Sequence, residues 1–235
     1  MVLFGTIVNG VLILIGTLFG LFFAKIPEQM KNTIMSGIGL TVLLIGFQMA
    51  FQTEHIIVVL LSLLTGAILG ELFKLDEKLN RLGLWIEQKF KKTNAESTVA
   101  EAFVTASLIF VIGAMAVLGA LDSGLRNDHE VLITKGVIDG FTALVLTTTL
   151  GFGVAFSVVP VVLYQGTIAL FATQIERWLP AEFLQLFIYE MTAVGGLLIC
   201  AIGLNLLKIT NIKVANLLPS IITVGIVLAV YVQFN

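Results

Sequence analysis

The chain alternates long uncharged apolar runs with short polar links. No Asp, Glu, Lys or Arg occurs in residues 1–24, 32–53, 55–70, 102–121, 140–175, 191–207 or 214–235. A helix needs roughly 20 apolar residues to cross the hydrocarbon core of a bilayer. Most of these windows reach or approach that length as single helices, while 140–175 is long enough to suit a hairpin of two. The expected helices are 2–24, 33–52, 55–73, 101–121, 136–154, 157–175, 183–206 and 214–234, an all-α polytopic transmembrane bundle of about eight spans. Thr98-Val-Ala-Glu101 has the Ser/Thr-x-x-Glu form of a capping box and places the start of the fourth helix. The first apolar run has no preceding Lys or Arg and exceeds a typical signal-peptide core, so it is expected to stay as the first span.

The one sizeable polar stretch is 72–92. Leu72, Leu75, Leu79, Leu82, Ile86 and Phe90 share one helical face, with Lys78, Arg81, Lys89, Lys91 and Lys92 among the polar positions. This predicts an amphipathic basic helix on the membrane surface, or a solvated connector docked on the bundle. The expected organisation is three helices in 1–73, a cytoplasmic connector in 74–98 and five helices in 99–235, all one membrane domain.

Composition agrees. Of 235 residues, 58% are hydrophobic and 12% charged, about half the charge of an ordinary soluble domain. A soluble enzyme is not expected. The formal net charge of −2 gives no reason to expect a nucleic-acid partner. Cytoplasmic loops of membrane proteins are enriched in Lys and Arg. With eight spans and both termini outside, one side holds Lys25, Lys31, Lys74, Lys78, Arg81, Lys89, Lys91, Lys92, Lys208 and Lys213, against Arg126, Lys135 and Arg177 on the other. A re-entrant hairpin at 140–175 would leave the loops on the same sides. Cys200, the single cysteine, lies in an apolar run and reads as a small buried hydrophobe.

Ile45-Gly46-Phe-Gln48 ends the second expected helix and Ile202-Gly203-Leu-Asn205 ends the seventh, an offset of 157 at which Leu60-Leu61 also matches Leu217-Leu218. Five helices separate the matching partners, an odd number, so helices two and three would run opposite to helices seven and eight. Inverted repeats of this kind underlie many secondary transporters.

A carboxylate at membrane depth is costly and usually functional. Glu190, inside the seventh helix, is therefore the first candidate for a solute or ion pathway, with the outer headgroup region as the alternative place for it. Asp139, in Lys135-Gly-Val-Ile-Asp-Gly140, is the second, either anchoring the fifth helix or facing a cavity shared with Glu190. Gln165, Asn9, Gln48, Asn205 and Asn216 are intramembrane amides that either coordinate a solute or bond neighbouring helices. Thr147-Thr148-Thr149, Gly151, Gly153, Pro160 and Gly166 interrupt helices five and six, and Thr148 is counted among the pathway candidates. Broken helices at membrane depth must line a cavity or be buried in protein. Gly16-xxx-Gly20, Gly66-xxx-Gly70 and Gly136-xxx-Gly140 allow close helix contact, within the subunit or in a homo-oligomer. The polar loop 122–130 lacks the residue order of a calcium loop. Neither a metal, another cofactor nor a hydrolase motif is expected.

Several blocks in order carry a resemblance: Gly113-Ala-Met-Ala-Val-Leu-Gly-Ala-Leu-Asp-Ser-Gly124, Lys135-Gly-Val-Ile-Asp-Gly-Phe141, Leu163-Tyr-Gln-Gly166, Glu190-Met-Thr-Ala-Val-Gly-Gly196, Ile202-Gly-Leu-Asn-Leu-Leu207 and Asn216-Leu-Leu-Pro219. Over nearly its whole length the chain resembles the polytopic membrane proteins grouped as domain of unknown function 554. The resemblance implies a bacterial inner (plasma) membrane protein and supplies no substrate. Asp139, Gln165, Glu190 and Asn205 fall inside these blocks. The expected function is transport of a small polar solute or ion, with proton coupling through Glu190 if that carboxyl titrates. A channel, or a structural or assembly protein without transport, is the alternative.

Overall fold

The computed structural model describes residues 1–22, 28–79, 81 and 98–234, and no strand occurs among them. The helices are α1 (Phe4–Phe22), α2 (Glu28–Ala50), α3 (Ile56–Phe73), α4 (Thr98–Val111), α5 (Ala114–Arg126) and α6 (Glu130–Leu150). A 3₁₀ segment (Gly151–Ser157) leads to α7 (Val158–Leu170), α8 (Ala172–Trp178), α9 (Ala181–Leu206), α10 (Val214–Leu217) and α11 (Ser220–Phe234). Among the described residues six helical stretches are long and apolar enough to cross a membrane, and α4 with α5 makes a seventh if that pair, bent by 58°, is one span.

Three local departures from the expected helices have physical causes. The fourth helix is not continuous over 101–121: it breaks before Gly113, whose φ of 138° suits a residue without Cβ. The fifth begins at Glu130 rather than 136, because the Asp128 side chain accepts a hydrogen bond from the Glu130 amide (3.0 Å) and starts the helix in charged sequence. It ends at Leu150, where Gly151 takes φ 78°. Pro160 falls in the first turn of α7, where its missing N–H costs no helical bond. The amphipathic segment expected over 72–92 lies mostly outside the described residues; residues 75–79 are helical, after Lys74 ends α3 at φ 50°.

Small residues set the packing. A Cβ on Gly16 would collide with the Gly140 carbonyl, one on Gly5 would meet Leu132, and one on Gly20 would meet Leu144 and Thr147. Paired residues advance together, so α1 and α6 run in the same direction. The chain then turns back: Gly10 faces Val158 and Val162, and Gly166 faces Leu3. The arms of 130–170 therefore form a hairpin against α1, as expected for 140–175. Gly46 faces Cys200 and Gly196, while Gly203 faces Leu43, so α2 and α9 cross in opposite directions. Gly66 and Gly70 meet Ser220 and Asn216 on the α10–α11 arm. All three Gly-xxx-Gly pairs thus serve contacts within the chain.

α9 is the central helix: 78% of its most apolar window is buried, against 22–44% for the other candidate spans. The outer faces of the bundle are apolar, with Leu18, Leu40, Leu44, Ile68, Phe141, Leu163 and Ile222 all exposed. Asn9, Lys135, Asp139, Gln165 and Glu190 are instead buried. An exposed apolar surface this extensive suits lipid rather than water.

Candidate functional site

A helix of α6's length spans about 31 Å, and Asp139 lies about 14 Å from its start. The carboxylate is thus near the middle of α6. One turn earlier Lys135 reaches it, with Nζ 2.5 Å from Asp139 Oδ2. Helical i, i+4 spacing brings the two together. Both side chains are buried. The close approach of α1 at Gly136 and Gly140 adds Asn9, whose Nδ2 donates to Asp139 Oδ2 (3.1 Å) and to Gln165 Oε1 on α7 (3.3 Å). α1 and the two arms of the hairpin thus supply one polar cluster.

The cluster is not saturated. Asn9 Oδ1 and Gln165 Nε2 are buried and have no partner among the described residues, and the same holds for Thr6 Oγ1, one helical turn before Asn9 on α1. Buried polar groups are rarely left unmatched, and an exception calls for a missing water, ion or solute, or a catalytic use. Lys135 and Thr6 are the residues that sequence reading did not place here. The available signal for Lys135 was its i, i+4 spacing to Asp139 in an otherwise apolar helix.

Glu190 is in a different place. It is fully buried by protein, yet it sits against the turn between α2 and α3. Its Oε1 accepts from the backbone amides of Glu54 and His55 (both 2.9 Å), and its Oε2 accepts from the Thr53 hydroxyl (2.7 Å). His55 is the N-cap of α3 and makes no side-chain cap of its own, so the carboxylate on α9 satisfies amides at this helix start. The His55 ring lies over Tyr231, centroids 4.9 Å apart. Among the described residues Glu190 and Asp139 share no hydrogen-bond partner, so no contact supports the common cavity expected for them.

The remaining candidates scatter. Asn205 Oδ1 accepts from the Thr210 hydroxyl (2.8 Å) and the Ile212 amide (2.9 Å), and its Nδ2 donates to the Ile212 carbonyl (2.8 Å). It thereby holds the turn after α9, beside a cavity of about 280 Å³ also lined by Asp76, Glu101 and Lys213. Asn216 donates to Glu71 and accepts from the Asp76 amide (2.8 Å), which pins the end of α3 to α10. Gln48 is exposed on the outer face of α2. The Thr148 hydroxyl bonds back to the Val145 carbonyl (2.7 Å) within its own helix. Of the eight residues singled out from sequence, the structure brings together Asn9, Asp139 and Gln165.

Comparison with known proteins agrees with a membrane chain. It is 34% identical over 238 residues to the uncharacterized membrane protein YdfK of Bacillus subtilis (strain 168), covering 99% of each chain. It is 28% identical over 226 residues to the uncharacterized protein YqgA of Escherichia coli (strain K12), covering 93% of each. No solved structure matches it significantly. The family described as "Protein of unknown function (DUF554)" matches residues 4–229, and with that coverage the chain belongs to this family.

Proposed function

We propose that this protein moves a small polar solute or ion across the bacterial inner membrane, using the cluster of Asn9, Lys135, Asp139 and Gln165. The observation that carries the reading is the pair of buried, unpartnered amide atoms beside a buried ion pair: Asn9 Oδ1 and Gln165 Nε2. Groups that served only to glue helices would be expected to use up one another's capacity, since each unmet group costs about 1–3 kcal/mol. A hairpin with a 3₁₀ break at Gly151–Ser157, packed on α1, places irregular backbone where it is covered by protein.

Two finer features support the reading. Counting the arms of 130–170 as separate passes, and α4–α5 as one, gives eight crossings. Contacts at the α2–α9 crossing also repeat at the 157 offset, where Gly46 faces Cys200 and Gly203 faces Leu43. This is what an inverted repeat of α2–α3 and α9–α11 would produce. On a cysteine-free Cys200→Ser background, single cysteines at Asn94 and Asn127 should label from opposite sides of intact cells. Same-side labelling would refute eight crossings.

The test of transport is uptake into proteoliposomes from a pool of labelled small polar solutes. Wild-type protein should take up part of the pool, and Gln165→Leu should abolish that uptake while the protein stays folded. An imposed pH gradient that drives the same uptake would establish proton coupling, whereas purely downhill flux would make it a channel. A purely structural protein is the second reading, favoured by Glu190, Asn205 and Asn216, which all hold turns. It predicts no uptake above that of empty vesicles.

A further inference from the structure

The cluster between α1, α6 and α7 has a charge balance that constrains its ligand. Lys135 and Asp139 cancel, and the other polar groups are two amides and a hydroxyl. Uncommitted capacity is of both kinds: Asn9 Oδ1 accepts, Gln165 Nε2 donates and Thr6 Oγ1 does either. Among the described residues Lys135 bonds only Asp139, and both donors to Asp139 use Oδ2, which leaves ammonium hydrogens and Oδ1 available.

A bare cation or anion entering this site would leave a net charge buried in a low-dielectric interior, which costs several kcal/mol. An uncharged solute would meet an intact ion pair and gain only amide and hydroxyl bonds. A zwitterion avoids both penalties. It exchanges one ion pair for two and leaves the total charge at zero. We infer that the cluster takes a small zwitterion of the α-amino acid type, its ammonium toward Asp139 and Asn9 Oδ1 and its carboxylate toward Lys135 and Gln165 Nε2. The helices pack closely beside the cluster, with Gly136 against Asn9 and Gly10 against Val158 and Val162, which restricts the ligand to a small one. The inference rests on the transport reading of the same cluster.

The test is thermal unfolding of the purified full chain in detergent with glycine, L-alanine, glycerol, sodium chloride or potassium chloride. Glycine or L-alanine should raise the midpoint saturably, and the salts and glycerol should not. Lys135→Gln/Asp139→Asn removes both charges together and keeps the site neutral, so it should fold. Its apparent affinity for the amino acid should fall about tenfold or more, the loss of one good charged contact. General osmolyte stabilisation acts equally on both proteins and cancels in this comparison. No saturable response to either amino acid, or an unchanged response in the double variant, overturns the zwitterion. A saturable response to either salt that the double variant loses also overturns it, yet leaves the cluster as a pathway. Uptake that survives Gln165→Leu sinks the pathway reading itself.

Discussion

Among the described residues two acidic side chains are buried, Glu190 and Asp139, and their surroundings differ. Glu190 meets three donors from one turn, two of them backbone amides. Asp139 meets one cation and one side-chain amide, within a group that has bonding capacity left over. Burying a charge is expensive for both. At Glu190 the cost is offset by closing the α2–α3 turn and starting α3, so the residue is bound up with folding. At Asp139 the charge is neutralised one turn away and each adjoining amide keeps one atom without a partner, so the site can exchange partners. Depth and charge alone mark a residue as costly; the number of fixed donors around it separates anchor from site.

The largest expected effect breaks the anchor. Glu190→Ala leaves two backbone amides and a hydroxyl without their acceptor and should lower stability by about 3–5 kcal/mol, most of it absent in Glu190→Gln, which keeps one acceptor oxygen. Denaturation of both variants in detergent checks this. A fully stable Glu190→Ala protein would remove the distinction. Next comes the ion pair. Asp139→Asn strands Lys135 and should cost about 3 kcal/mol, while Lys135→Gln/Asp139→Asn should recover most of that loss. A double-mutant cycle measures the coupling. Gly16→Ala sets a Cβ against the Gly140 carbonyl and should cost about 1–3 kcal/mol. It should also lower uptake, since it pushes Asn9 away from Asp139, without altering the Glu190 turn. The smallest stability effect belongs to Gln165→Leu, about 1 kcal/mol or less for a polar contact between buried helices, yet uptake should disappear. A variant that lost stability and kept uptake would place Gln165 with the anchors.

Much of this was legible in the residues. Uncharged runs gave the helical membrane class, and the glycine pairs marked contacts that the structure uses at Gly16, Gly66 and Gly140. Asp139, Gln165 and Asn9 were identified as candidates, but so were Gln48 and Thr148. Nothing in the chain separates an amide facing outward from one facing a neighbour 130 or 156 positions away. The break at Gly113 was equally invisible, because a glycine in an apolar run does not reveal whether its φ is positive.

The sequence by itself determined what solvent each segment needs, because transfer of apolar side chains and charges between water and lipid depends on composition and length. It also determined the helical form, since lipid leaves backbone groups no partner outside the helix. Only the tertiary structure decided what each buried polar group is for. That depends on which helices meet. α1 beside the hairpin joins Asn9 to Asp139 and Gln165, and α9 beside the α2–α3 turn gives Glu190 its three donors. These contacts couple residues more than a hundred positions apart, and local sequence pattern has no access to energies of that range.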